Sequence, residues 1–186
     1  LQHRGKEGAG IVTFDGKNFN GVRSQGLVSN TFDKPEVIEQ LPGKNAVGHV
    51  RYSTQGESID KNIQPLFADL AAGGFACAHN GNLINAVDIR KELISKGAIF
   101  QTTSDTETIL QLVALSRKIK IRDKLIDALK KIKGAYSLVI LTNKKLIGVR
   151  DPFGIRPLVL GIKDGSYVLA SETCALTIIG ADYVRD

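Results

Sequence analysis

The order of apolar and polar positions divides the chain into three parts. Short strand-like runs come first. Residues 9–14 read as a strand, Asp15-Gly16 as a hairpin signal and 19–27 as the return strand. Residues 34–41 read as a short helix with Pro35 in its first turn, stopped by Pro42-Gly43. Residues 46–51 form a strand and 52–62 a polar loop. Residues 65–70 lead to a Gly73-Gly74 break, and an apolar run then ends at Ala78.

The middle third switches to helical spacing. Residues 86–96 place Val87, Ile89, Leu93 and Ile94 at apolar positions, and Gly97 stops them. Residues 105–116 carry Ile109, Leu110, Leu112, Val113 and Leu115 behind Ser104-Asp105-Thr106-Glu107, which has capping-box spacing. Residues 122–133 repeat Leu125, Ile126, Leu129 and Ile132, closed by Gly134. The last third returns to short runs, at 136–142, 146–150, 158–161 and 167–170, separated by turn residues as in a meander. Strands, then helices, then strands argue for an α+β fold with mainly antiparallel pairing and helices on the sheet faces.

Composition changes this picture little. A chain of 186 residues suits one domain with a sizeable core. No apolar run approaches a membrane span and no signal-like segment opens the chain, so the expected location is cytoplasmic. Two cysteines, Cys77 and Cys174, make neither a disulfide framework nor a zinc site, and both read as buried, reduced thiols. The net charge is +6, and residues 117–133 alone supply that excess. It falls on one amphipathic helix as a solvated face, without the interleaved aromatics a nucleic-acid platform needs.

Three places carry candidate chemistry. His79-Asn80-Gly81-Asn82 follows the apolar run, and Asn-Gly suits a tight hairpin turn. The same pair can aim a side-chain amide and a glycine N–H at one oxygen, as in an oxyanion hole. Arg51 ends its strand, where its planar fork suits either a surface ion pair or capture of a carboxylate or phosphate, with the Thr54 hydroxyl nearby. Asp105 at a helix start complements the helix dipole or anchors an ammonium group. Arg51 and Asp105 together would hold both charged ends of an α-amino acid.

A nucleophile is harder to find. There is no G-x-S-x-G elbow, no H-E-x-x-H and no phosphate-binding loop. Cys77 and His79 share a strand face but stand parallel, two residues apart. Cys174 has no nearby histidine and reads as core. His3 and Arg4 face either a site or solvent. The chain has no methionine and opens at Leu1 in what reads as mid-element, so a nucleophile is expected upstream.

Six segments together resemble one family. They are residues 1–10, GHVRYST at 48–54, HNGNLIN at 79–85, TTSDTET at 102–108, RDPFGIRPL at 150–158 and ASETCAL at 170–176. In this order they are similar to the glutaminase domain of the amidophosphoribosyltransferase family. The resemblance implies an N-terminal nucleophile hydrolase fold, an αββα sandwich of two mainly antiparallel sheets. It implies glutamine as substrate, with Arg51 and Thr54 on the α-carboxylate and Asp105 on the α-ammonium. Asn80 and Gly81 would form the oxyanion hole, with Gly81 also touching substrate.

The nucleophile implied is an N-terminal cysteine whose own amine is the base. Neither Cys77 nor Cys174 matches it, which leaves a chain without that residue inactive. The ammonia would pass to phosphoribosyl pyrophosphate on a phosphoribosyltransferase domain beyond Asp186, in the first step of purine synthesis. Mg²⁺ is expected in that domain and no cofactor in this one. Some members carry an iron–sulfur cluster, for which this chain supplies no ligand set. A homo-oligomer is expected. Glucosamine-6-phosphate synthase, glutamate synthase and asparagine synthetase types share the glutaminase fold and remain alternatives, as does a noncatalytic amino-acid-binding relative.

Overall fold

The computed structural model describes residues 1–52 and 60–186. Three strands form the first sheet: β1 (Gly8–Phe14), β2 (Phe19–Gln25) and β3 (Asn45–Arg51), in the order β2-β1-β3 and antiparallel throughout. The Asp15 carboxylate closes the β1–β2 hairpin by accepting the N–H groups of Lys17 and Asn18 at 2.8 and 2.7 Å. Two short helices follow β2, α1 (Val28–Phe32) and α2 (Pro35–Ile38). The single helix expected over 34–41 is therefore shorter, and α1 is additional.

The second sheet is antiparallel, in the order β4-β5-β6-β7. Its strands are β4 (Leu66–Leu70), β5 (Gly73–Leu83), β6 (Gly134–Thr142) and β7 (Leu146–Arg150). Period-two alternation along β5 assigns its two faces. Phe75 and Cys77 join Leu138 and Ile140 of β6 in a core shared with α3 (Ala86–Ser95), α4 (Thr106–Leu115) and α5 (Ile121–Leu129). Ala76 and Ala78 point the other way and meet Val12, Phe14 and Val47 of the first sheet. The small side chains on that face let the two sheets approach. Truncating a fully buried residue such as Leu138 to Ala should cost about 2–5 kcal/mol.

The last third divides instead of forming one meander. β6 and β7 belong to the second sheet. β8 (Val159–Lys163), β9 (Ser166–Ala170) and β10 (Asp182–Arg185) form a third, small sheet in the order β10-β8-β9. α6 (Thr173–Ile179) packs Leu176 against Val159 and Ala170 of that sheet. Neither α6 nor β10 shows in the sequence pattern, because each is short and largely exposed. Among the described residues no helix is long and apolar enough to cross a membrane. The α5 region keeps most of its Lys and Arg in solvent, as expected for a charged helix face.

Two local expectations are corrected. His79-Asn80-Gly81-Asn82 is not a hairpin turn. β5 runs straight through it to Leu83, with Asn80 opposite Ser137 and Gly81 opposite Tyr136 on β6. The strand that pairs here comes after three helices, so nothing local requires a reversal. Ser104 and Glu107 do not make a capping box either. The Glu107 carboxylate reaches further back and accepts the N–H groups of Gln101 and Thr102 at 2.8 and 2.7 Å. The Ser104 hydroxyl accepts Thr106 N–H at 3.3 Å, so the loop before α4 is folded by its own side chains.

Candidate functional site

The ends of β3 and β5 and the loop before α4 converge on a cavity of about 200 Å³. Its described lining includes Leu1, Arg51, Asn80, Gly81, Asp105 and Arg156. Four of the five residues singled out from the sequence are therefore brought together. The fifth, Thr54, lies outside the described residues.

Arg51 is buried, with only 4% of its surface exposed. It is no surface ion pair. Its Nη1 donates to the carbonyl of Asn62 at 2.7 Å. Burial lowers its pKa, and the negative charges of Glu7 and Asp105 oppose that shift. Asp105 is the N-cap of α4, where an acid complements the helix dipole. Its Oδ2 also accepts Leu83 N–H, across from the end of β5, at 2.9 Å. Its Oδ1 lies 3.6 Å from His79 Nδ1. Burial pushes the carboxyl pKa upward, but His79 and the Leu83 and Thr106 amides outweigh it and hold the group below its ordinary value.

Asn80 and Gly81 face the cavity from β5. Among the described residues, Asn80 Nδ2 is buried and has no hydrogen-bond partner. A buried amide donor without a partner carries a desolvation penalty of about 1–3 kcal/mol, so its presence asks for a ligand acceptor. Gly81 has φ +153, and a Cβ there would lie 2.1 Å from the Ala135 carbonyl oxygen on β6. Only glycine lets the strand pass this close to its neighbour while continuing into the cavity wall.

The first residues of the chain also reach this place. A 3-10 turn, Gln2–Arg4, brings Leu1 and Arg4 to the cavity. Gly5 then passes so close to β3 that a Cβ would lie 2.3 Å from the Arg51 carbonyl oxygen. His3 Nε2 meets the Glu172 carboxylate at 2.7 Å, and Arg4 pairs with the same group. Those contacts, with Arg4 first, hold Glu172 at a pKa of about 2. His3 and Arg4 are therefore tied to the segment before α6, which the sequence could not decide.

The two thiols sit elsewhere. Cys77 is fully buried between β5 and the helices, and burial pushes its pKa up to about 12. It stays a neutral thiol and is no nucleophile. Cys174 is exposed on α6, not core as its apolar neighbours suggested, because the short helix turns that position outward. Its Sγ donates to Glu172 at 3.3 Å. His3, Glu172 and Cys174 offer ligand atoms within 4.8 Å of one another, but they are joined by their own hydrogen bonds and by Arg4.

Sequence reasoning missed several residues here. His49 Nε2 contacts the His79 carbonyl at 3.1 Å, and Gln64 Oε1 accepts His79 N–H at 2.7 Å. Asp151 is also structural. Its buried carboxylate accepts the N–H groups of Phe153, Ile155 and Arg156 at 2.9, 3.0 and 3.3 Å, which shapes the loop carrying Arg156 to the cavity. The only prior signal for Arg156 was its place in the RDPFGIRPL segment.

Comparison with known proteins fits this geometry. A family model described as a glutamine amidotransferase domain matches residues 49–178. The whole chain is 53% identical to amidophosphoribosyltransferase of Rhizobium etli and 44% identical to that of Bacillus subtilis, covering 38% and 39% of their lengths. It is 50% identical to a chloroplastic amidophosphoribosyltransferase of Glycine max, covering 33% of it. The chain thus spans less than two-fifths of these relatives. Among solved structures, glutamine phosphoribosylpyrophosphate amidotransferase from B. subtilis, complexed with ADP and GMP, superposes over the whole chain. The TM-score is 0.93 at 44% identity, and 40% of that protein is covered.

Proposed function

The chain belongs to the glutamine amidotransferase domain family, and from that premise we propose that it hydrolyses the side-chain amide of glutamine to glutamate and ammonia. The observation that carries this reading is Asn80 Nδ2, buried and without a partner among the described residues, in the cavity that also holds Arg51 and Asp105. Arg51 takes the α-carboxylate and Asp105 the α-ammonium. The side-chain amide then extends toward Asn80 and Gly81. Thr54 is assigned to the carboxylate by resemblance.

The attacking thiolate is that of an N-terminal cysteine outside these 186 residues, with its own α-amine as base. Support comes from the unsuitable positions of Cys77, buried in the core, and Cys174, exposed on α6. The sulfur bonds to the amide carbon, and the oxygen takes up negative charge between Asn80 Nδ2 and Gly81 N–H. The carbon–nitrogen bond breaks as the nitrogen takes a proton and leaves as ammonia. Water then attacks the thioester, releasing glutamate and restoring the thiol. Without that cysteine the residues of this chain bind glutamine but do not turn it over.

The ammonia serves a longer protein that displaces pyrophosphate from phosphoribosyl pyrophosphate and forms phosphoribosylamine, the opening step of purine synthesis. Whole-chain identity of 44–53% to bacterial amidophosphoribosyltransferases supports this acceptor. The test is Asn80→Ala in the full-length, processed protein. Glutaminase kcat should fall about 10²–10³-fold with little change in KM. An equal loss of glutamine binding would reject the oxyanion role.

A further inference from the structure

The two charged groups that would hold an amino acid come from distant parts of the sequence, and something must fix their separation. Arg51 ends β3, whereas Asp105 caps α4. The connection between them runs through Asn62, which closes the 3-10 turn Asp60–Asn62 and is fully buried. Its backbone carbonyl accepts Arg51 Nη1 at 2.7 Å. Its side chain grips Thr103, two residues before Asp105. Thr103 N–H donates to Asn62 Oδ1 at 2.9 Å, and Asn62 Nδ2 donates to Thr103 Oγ1 at 2.7 Å.

One residue therefore holds the guanidinium with its backbone and the Asp105 loop with its side chain. Asn62 does not itself line the cavity. Gln64, two residues on, holds the N–H of His79 immediately before Asn80. The same short segment thus braces a third part of the site.

We propose that Asn62 is a positioning residue that sets the spacing between Arg51 and Asp105, and so fits the cavity to a ligand with a carboxylate and an ammonium on one carbon. This rests on the glutaminase reading above. An amide is needed here because the two bonds to Thr103 run in opposite directions, one accepted and one donated. An aliphatic side chain of similar size would leave the Thr103 amide unpaired and let the Asp105 loop drift relative to Arg51. Displacements near 1 Å are costly where two charges must engage one small ligand together.

The experiment is steady-state glutamine hydrolysis by the full-length, processed protein carrying Asn62→Ala, Thr103→Val or Thr103→Ser. Asn62→Ala should raise the glutamine KM roughly tenfold with kcat within about twofold, because Asn80 and Gly81 are untouched. Thr103→Val keeps its volume at an exposed position and removes one bond of the grip, so KM should rise roughly threefold. Thr103→Ser keeps the hydroxyl and should restore the wild-type value. A merely structural role would lower thermal stability without this split, and that result overturns the proposal. So does an unchanged KM in Thr103→Val, which carries the test alone if Asn62→Ala does not fold. If wild type hydrolyses glutamine and Arg51→Ala raises KM while Thr103→Val does not, only the positioning role fails. If wild type has no glutaminase activity, the function itself fails.

Discussion

Replacing Gly81 with Ala tests the cavity wall more sharply than removing a side chain would. The added Cβ would lie 2.1 Å from the Ala135 carbonyl oxygen and 2.7 Å from Tyr136 Cα. The first contact is roughly 1 Å short of the 3.0 Å below which real Cβ contacts are essentially not seen. Both neighbours are β6 backbone, so no side chain can swing away. The two strands, normally about 4.8 Å apart, must separate by a fifth of that distance or twist locally. The φ of +153 adds strain of about 1–3 kcal/mol for a residue with a Cβ. Either adjustment moves the Gly81 N–H and carries Asn80 with it. A displacement of that size at an oxyanion site should lower kcat about 100-fold or more, with a smaller effect on KM. Glutaminase kinetics on the full-length protein read this directly. Gly97→Ala is the control, since it also has positive φ but open space around it at the end of α3. It should lose some stability and keep its kcat. A Gly81→Ala enzyme with kcat within threefold of wild type would refute the placement of this backbone in the reaction.

Two further outcomes follow from buried and exposed titratable groups. His49 is held at a pKa of about 4 by burial first, and then by His79, Arg51 and Arg4. The unfolded chain takes up this proton below about 6.5 while the folded one does not, so stability should fall as pH drops from 6.5 to 4, by about 3 kcal/mol in all. Urea midpoints across that range should fall less steeply in His49→Gln, and parallel curves would contradict the assignment. Thiol labelling read by peptide mass should modify Cys174 in the folded protein, faster at higher pH, because its hydrogen bond to Glu172 and the charge there raise its pKa. Cys77 should label only after unfolding, and native labelling at Cys77 would contradict its place in the core.

Much of the fold was legible because three amphipathic helices and most strands keep strict apolar periods. Ile109 and Val113 lie one turn apart on α4, and both are fully buried. What failed was local chemistry overruled by distant partners. Asn80-Gly81 has the composition of a turn, yet a strand arriving some fifty residues later holds it extended. Ser104 and Glu107 have cap spacing, yet Glu107 is drawn to Gln101 and Thr102. The site was legible where an end-of-strand Arg and a helix-start Asp carry chemistry in their own type. It was not legible at Asn62, Gln64 and His49, whose roles exist only through contacts across the fold.

The central position of β5 also decides how the site can move. Its odd residues are locked into the helical core and its even residues into the space between the sheets, and it pairs with β6 over nine positions. β4 covers the other edge only over Gly73–Cys77, and amide protons held on both faces and both edges there should exchange only in the rarest openings of the molecule. Asn80 and Gly81 lie beyond β4, at the cavity, so an N–H turned away from β6 there should exchange sooner. Whatever motion admits a ligand must then come from the segments around β5, with the hydrogen-bond donors as the fixed reference against which they close.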